Sequence, residues 1–171
     1  QDHFVAWGTT QTDDGERALS SVLYVEFDDV DAVRNFIDNE PHNLNGVFSE
    51  TRINRWHHAL GRTQREFPRK EGQVCWYIRG FGKAGADERR NELADAHRAY
   101  FADYDAEKFI VRGGVRDQTG ELWEGSANLI ALPSRIDVEA FLAKEPFYTN
   151  GLYNEVLVER YKFGGGLGQI V

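Results

Sequence analysis

An internal repeat constrains this chain more than any other feature of its sequence. Residues 4–59 align with residues 109–164 without a gap, at a constant offset of 105 positions that brings Glu40 onto Glu145. A repeat of this kind predicts a fold built from two copies of one structural unit. The residues of the first copy that recur as identities are Phe4, Gly8, Gly15, Glu16, Ser21, Val33, Phe36, Glu40, Pro41, Asn45, Gly46, Glu50 and Arg55.

The first copy, residues 1–60, is predicted to contain two strands, a helix and a last strand. Asp14-Gly15 is a strong turn signal between two segments rich in apolar and β-branched residues, so a hairpin is expected. Asp29 offers an N-cap to an amphipathic helix, and Pro41 prevents that helix from continuing. The first copy is therefore ββαβ.

The second copy, residues 73–164, has the same pattern, preceded by a strand and a helix that the first copy lacks. The extra strand, 74–79, has large apolar side chains on both faces, and the extra helix, 87–104, carries one apolar stripe. The second copy is therefore βαββαβ, a ferredoxin-like unit. Residues 61–72 are predicted to be a solvated linker, and residues 165–171 a flexible tail.

The predicted fold class is α+β, with tandem ferredoxin-like repeats that form an α+β barrel. Helices cover one face of each sheet, and the other apolar face has to pack against a second sheet. The first repeat lacks its initial strand and helix within this sequence, which would leave backbone N–H and C=O groups unpaired. We therefore expect an upstream segment, or a strand from a neighbouring chain, to fill that position.

The overall composition of the chain limits which classes of molecule it is expected to bind. A net charge of −8 argues against nucleic acid, whose binding depends on clustered Lys and Arg. No apolar run approaches the ~18 residues that a transmembrane helix needs. The single cysteine, Cys75, cannot form an internal disulfide, which favours the cytoplasm or another reducing compartment such as the mitochondrial matrix. The absence of methionine predicts a trimmed N-terminus.

No cofactor and no metal site are predicted. His57 and His58 are adjacent on a strand and point to opposite faces, so they are poorly placed to share a metal ion. The remaining histidines of the first copy, His3 and His42, have no acidic or thiol partners at metal-ligand spacing.

Four motifs of the second copy occur in a fixed order after a histidine-bearing helix. They are Gly113-Gly114 at a strand end, Gly125-Ser126 at a strand start, Glu145-Pro146, and Gly151-Leu152-Tyr153, and the helix contains His97. In this order they resemble the YciI-like family of the dimeric α+β barrel superfamily. Two departures are visible, because glutamate replaces the aspartate of the family motif in both copies, and the first copy has no histidine helix.

The resemblance implies an activity on small molecules. Some members of that family resemble lyases or dehydrochlorinases that act on ring compounds, and the related muconolactone isomerases share the fold. His97 would then be a general base and Glu145 the carboxylate that orients it, since imidazole titrates near neutral pH. The alternative is that His97 is a satisfied core residue on the apolar stripe of its helix.

Further residues are predicted to bind a ring-shaped substrate. The aromatic candidates Trp76, Phe147 and Tyr148 would line the mouth of the barrel, with Arg90 and Asp117 as polar contacts. A plain turn role is the alternative for Asp117. The sequence thus leaves two functions open, a lyase, isomerase or dehydrochlorinase, and a non-catalytic barrel subunit. Either would work as a homo-oligomer or in an assembly with other chains.

Overall fold

The computed structural model, which describes residues 3–164, contains twelve helices and strands, of which ten occur in the predicted order and two short helices that begin at Pro41 and Pro146 were not predicted. They are β1 (Phe4–Gln11), β2 (Ala18–Val25), α1 (Val30–Asp38), α2 (Pro41–Leu44), β3 (Arg55–His58), β4 (Cys75–Gly82), α3 (Asp87–Asp105), β5 (Phe109–Arg116), β6 (Trp123–Ala131), α4 (Arg135–Leu142), α5 (Pro146–Thr149) and β7 (Tyr153–Phe163). The prediction of an α+β fold is confirmed. The predicted tail, 165–171, lies outside the described residues.

All seven strands join in one antiparallel sheet, in the order β2-β1-β7-β4-β6-β5-β3. Two of the pairings cross between the two parts of the chain. Strand β7 pairs with β1, with Gly8 opposite Phe163, and strand β3 pairs with β5, with Gly113 opposite His58. Each residue of one pairing is therefore offset by 105 positions from its counterpart in the other.

The sheet curls until its two edge strands approach each other. Tyr24 on β2 and Trp56 on β3 have ring centroids only 4.6 Å apart, although β2 and β3 are at opposite ends of the strand order. The concave face encloses a core to which six strands and the 61–72 segment contribute. This core contains Val5, Tyr24, Phe67, Cys75, Ile110, Val115, Leu129 and Tyr161.

The prediction of a solvated linker over residues 61–72 is wrong for two of its side chains. Gln64 and Phe67 are 0% and 3% exposed. The Gln64 side chain accepts hydrogen bonds from the Trp7 N–H at 3.1 Å and from the Tyr161 hydroxyl at 3.0 Å. The segment closes one end of the curled sheet because an amide side chain can satisfy buried donors there.

Helices α3 and α4 cover the convex face of β4 and β6. Phe101 of α3 and Val138 and Phe141 of α4 are buried there against the sheet. By contrast, α1 has no buried residue, although its apolar positions follow the same spacing. None of the helices in residues 3–164 combines the length and the apolar character that crossing a membrane requires.

Candidate active site

His97 and Glu145 meet between helices α3 and α5. His97 lies on α3, and Glu145 is the N-cap of α5, so its carboxylate accepts from the N–H groups of Phe147 at 2.9 Å and Tyr148 at 2.7 Å. His97 Nδ1 lies 2.6 Å from Glu145 Oε1. A glutamate in place of the family aspartate therefore still reaches the imidazole.

The geometry of this pair fixes the state of the imidazole ring. Glu145 is 2% exposed and accepts hydrogen bonds from two backbone N–H groups, which stabilises the ionised carboxylate. A carboxylate only accepts, so His97 Nδ1 has to be the donor. In the neutral ring the lone pair is then on Nε2, the nitrogen that can take a proton.

Two phenylalanines hold the imidazole in place. The Phe147 ring is stacked on His97 at 4.0 Å between centroids with an interplanar angle of 1°. Phe101 lies at 4.0 Å with a tilt of 44°. With Glu145 at Nδ1, these contacts leave one edge of the ring for a ligand.

A cavity of about 150 Å³ lies beside His97. An apolar cavity of about this volume can hold one benzene molecule, so the space suits a single six-membered ring. Its walls come from α3, β5, β6, α5 and the crossing strand β3. The lining side chains include His57, Arg90, His97, Arg112, Ser126, Asn128 and Phe147.

Arg90 gives the cavity a positive charge. Burial lowers the pKa of Arg90, and the nearby Arg116 and Arg98 lower it further. Among the described residues Arg90 forms no ion pair, and its buried Nε has no hydrogen-bond partner. Arg98 pairs with Asp95, and Arg112 with Asp105, so Arg90 is the cavity arginine whose charge remains available to an anion.

Two buried polar residues form the floor of the cavity. Asn128 Oδ1 accepts from the Gly113 N–H at 3.1 Å, and Ser126 Oγ lies 2.9 Å from the Tyr153 hydroxyl. Burial raises the pKa of Tyr153, so this phenol stays neutral and can donate. The floor therefore offers hydrogen-bonding groups below the cationic and aromatic walls.

The structure brings four predicted residues together, namely His97, Glu145, Arg90 and Phe147. Trp76 does not line this cavity, because it is 2% exposed in the core beneath α3 and α4, where its Nε1 donates to the Leu132 carbonyl at 3.0 Å. It is a core residue.

Asp117 and Tyr148 are also placed away from the cavity. The Asp117 carboxylate accepts from the Thr119 hydroxyl and from the N–H groups of Glu121 and Leu122, so it stabilises its own turn. Tyr148 is 45% exposed, and its backbone N–H, not its ring, contributes by bonding Glu145. The prediction that these side chains line the cavity is wrong.

The polar side chains of the lining that were not predicted are His57, Arg98, Arg112, Ser126 and Asn128. Ser126 belongs to the Gly-Ser motif, which was a usable signal for a strand near the site. His57 comes from β3, which pairs with β5 across the two parts of the chain. No local pattern predicts such a long-range pairing.

No group of three or more His, Cys, Asp or Glu side chains within residues 3–164 is placed to hold a metal ion.

Solved structures with similar folds include two proteins from bacteria. One is the 5-chloro-2-hydroxyhydroquinone dehydrochlorinase of Burkholderia phenoliruptrix AC1100 in complex with 2,5-dihydroxybenzoquinone, with 27% identity and a TM-score of 0.48, covering 53% of this chain and 95% of that one. The other is a protein of Lactobacillus acidophilus NCFM described as a "putative monooxygenase", with 10% identity and a TM-score of 0.52, covering 94% of this chain and 77% of that one. At this identity the second likeness concerns the fold alone.

No curated protein sequence matches this chain. A sequence family does match it, over residues 1–57 and again over residues 74–162. The matched ranges contain the dyad and most of the cavity wall, and they leave out the segment between the two parts of the chain. The chain belongs to the family of the YCII-related domain.

Proposed function

We propose that this protein is a small-molecule enzyme in which His97 acts as a general base on a ring compound and Glu145 orients it. The observation that carries the proposal is the arrangement of His97, whose Nδ1 is bound to a buried carboxylate while its ring borders a cavity. A lyase, an isomerase or a dehydrochlorinase would each use such a base.

The proton steps follow from the tautomer. His97 Nε2 takes a proton from a C–H or O–H group of the substrate, and the imidazolium that forms is stabilised by Glu145 at 2.6 Å. In an elimination, the electron pair left behind forms a double bond and expels the leaving group from the adjacent carbon. In an isomerisation, the same proton returns to a different carbon of the ring.

The cavity supports a planar, anionic substrate. Arg90 offers a charge without a carboxylate partner, Phe147 offers an aromatic edge, and the volume admits one ring. A hydroxylated ring with an ionised hydroxyl, or a lactone with a carboxylate, fits these three features. Transferring a proton from a group already held by Arg90 also keeps the developing negative charge near a cation.

The test begins with ligand binding and continues with turnover. 2,5-Dihydroxybenzoquinone is a suitable first ligand because it is a planar single ring and anionic at neutral pH, and lactones and chlorinated hydroquinones follow as substrates. We expect His97→Gln to reduce turnover by at least about 100-fold, as loss of a general base does, with the melting temperature changed by only a few degrees.

The matched control is His42→Gln, which changes the exposed histidine beside Glu40, the counterpart of Glu145. It should leave turnover unchanged. Turnover that is equally fast in His97→Gln and in the unmodified protein would contradict the proposal.

A non-catalytic barrel subunit is the second candidate function. It is favoured by the packing of the His97 ring between Phe101 and Phe147, because this packing also satisfies a purely structural histidine. If His97→Gln unfolds the protein and no screened ring compound binds, this second function gains support. Assembly with further copies or other chains, in a reducing compartment, would suit either function.

A further inference from the structure

The strand order leaves one strand position of the repeat unfilled between the two edges of the sheet, and this position is called the slot. In the second part of the chain, β4 lies between β6 and β7 and pairs with both. The counterparts of β6 and β7 at the 105-residue offset are β2 and β3, and these are the two strands at the ends of the order. Within the described residues, no strand lies between them. An eighth strand in that position would join the two edges and close the barrel.

The chain beside the slot shows the effect of the missing neighbour. Strand β7 has eleven residues, and its first part, from Tyr153 onward, pairs with β4. Strand β3 has only four residues, all of which pair with β5. Residues 48–54, the counterparts of 153–159, form no strand. These residues occupy the position of a strand in the repeat, but no neighbouring strand within the described residues pairs with them.

Helix α1 presents the side chains that α4 buries. Val33 and Phe36 occupy the positions of Val138 and Phe141, and the two pairs are identical in type. Helix α3 lies over α4, where Val138 and Phe141 are 0% and 3% exposed. No residue of α1 is buried. The same apolar face is thus fully buried in one part of the chain and only partly buried in the other, where Phe36 contacts Phe4 and Phe27.

The adjoining convex face of β2 is apolar as well. Leu19 and Leu23 are 44% and 38% exposed, on the side of β2 opposite to the buried Tyr24. They lie on the convex side of an edge strand. A strand alone would satisfy the edge, but only a strand followed by a helix would also cover this surface.

Glu40 marks where that helix would lie. Like Glu145, it is the N-cap of a short helix, and it accepts from the Asn43 N–H at 2.9 Å. Its second partner is His42, two residues away and largely exposed, at 2.6 Å. In the second part of the chain the corresponding partner is His97, which α3 brings from a distance.

We propose that this slot binds a strand followed by a helix, a polypeptide segment of the β4–α3 kind that lies outside residues 3–164. The strand runs antiparallel to β2 and β3 and pairs with both edges, as in strand addition to an open sheet. The helix packs its apolar stripe on Val33, Phe36 and Leu23 and brings a hydrogen-bond donor to Glu40. A second copy of this chain is not the occupant, because β4 is already paired on both of its edges.

The probe for a binding experiment is available within the chain. A synthetic peptide with the sequence of residues 73–108 contains β4 and α3, and the face it would meet on α1 is nearly the one it covers on α4. We expect it to bind the full chain with 1:1 stoichiometry, and to slow amide hydrogen exchange at least tenfold in β2 and in residues 48–58. A peptide carrying Ile78→Pro, which removes a ladder N–H and breaks the strand, is the matched control and should not bind.

A substitution in the full chain distinguishes peptide binding in the slot from peptide exchange with the chain's own β4 and α3. Phe36→Asp charges the partly buried face of α1 and should weaken peptide binding at least tenfold. Glu107→Gln, a change at an exposed residue just after α3, is the control and should not weaken binding. Binding that Phe36→Asp leaves unchanged would mean that the peptide exchanges with β4 and α3, which would overturn the proposal.

A second measurement does not depend on the solubility of the peptide. Fusing residues 73–108 directly ahead of Phe4 gives the first part of the chain the segment that precedes Phe109 in the second. The melting temperature should rise by at least 5 °C, and Phe36→Asp should abolish the rise. No rise, or a chain that dimerises through the slot and excludes the peptide in sedimentation experiments, would overturn the proposal.

Discussion

Residues 4–59 and residues 109–164 contain the same order of elements with different degrees of burial. Helix α4 has three buried residues, and α1, with a valine and a phenylalanine at the same positions, has none. The difference is the presence of α3 over α4. The comparison shows that two helices with the same apolar residue types can be buried to different degrees. How far such a face is buried depends on whether a neighbouring helix packs against it.

Local structure, by contrast, is the same in both parts. Glu40 and Glu145 each accept from backbone N–H groups at the start of a short helix that begins with proline. Gly46 and Gly151 both have a φ of about 66° or 67° after those helices. Caps and turns depend on neighbours in sequence, so they form whether or not the surrounding core is complete.

The largest expected effect is a difference between two matched truncations. Phe141→Ala removes a ring that is 3% exposed, and such truncations cost about 3–5 kcal/mol of unfolding free energy. Phe36→Ala removes the same ring from a partly exposed position and should cost about 1 kcal/mol. Urea denaturation of both variants measures the difference. Equal losses would show that α1 is packed as well as α4.

The next prediction concerns the two crossing strand pairings, which are equivalent in the two parts of the chain. A Cβ on Gly113 would lie 1.9 Å from the His57 carbonyl oxygen, and one on Gly8 would lie 2.3 Å from that of Lys162. These are the two crossing pairings, so Gly8→Ala and Gly113→Ala should each cost about 1–3 kcal/mol, as overpacking does. Gly114→Ala, whose nearest neighbour would be 3.8 Å away, is the control. If only one of these two substitutions lowered the free energy of unfolding, the two crossing pairings would not be equivalent.

A pH dependence is expected from the core that both parts share. Burial raises the pKa of the Cys75 thiol to about 11, against the opposing influence of Arg69 and Arg160. The unfolded thiol ionises near pH 8.5–9, so the stabilising contribution is complete below that pH and is lost as pH rises to about 11. We expect the free energy of unfolding to fall by up to about 2 kcal/mol across this interval.

Cys75→Ala isolates the contribution of the thiol to this pH dependence. The variant should show a smaller decline between pH 9 and pH 11 when denaturant curves are compared. The native thiol should also resist alkylation at pH 8, since it is 2% exposed. Rapid labelling of the folded protein would contradict the burial of this residue.

The smallest expected effect concerns His42, the histidine that contacts Glu40 in the first part of the chain. Burial of the Glu40 carboxyl group acts to raise its pKa, but the hydrogen bonds from His42 and from the Asn43 N–H outweigh this effect and lower the pKa of Glu40. A lowered carboxyl pKa contributes stability above its ordinary value near 4.5, and this contribution is lost as pH falls through the lowered value. His42→Phe, which copies Phe147, should raise the pKa of Glu40 and change stability by less than about 0.5 kcal/mol.

The measurement is a carbon-detected NMR titration of the Glu40 carboxyl group. His3→Phe, a change at another exposed histidine, serves as the control and should leave the titration of Glu40 unchanged. A titration of Glu40 that does not move in His42→Phe would mean that the Asn43 N–H, and not the imidazole, is responsible.

The sequence allowed the prediction of most elements and of the dyad, because both rest on local signals and on short motifs. The turn at Asp14-Gly15, the cap at Asp29 and the partners His97 and Glu145 are of this kind. The roles of the β4 side chains were harder to predict, since large apolar residues alternate on both faces, and Trp76, predicted to bind substrate, is a core residue. His57 and the burial of Gln64 were not predictable, because each depends on contacts between distant segments.

The two crossing pairings have a consequence for how the chain reaches this structure. Strand β1 pairs with β7 through residues as distant as Gly8 and Phe163, which are separated by nearly all of the described chain. Such pairings form only after long loops have closed, and folding rates fall as the separation between contacting residues grows. Neither part can complete its sheet alone, so the chain should fold slowly and melt in one cooperative transition, with no stage at which one part is native and the other is not.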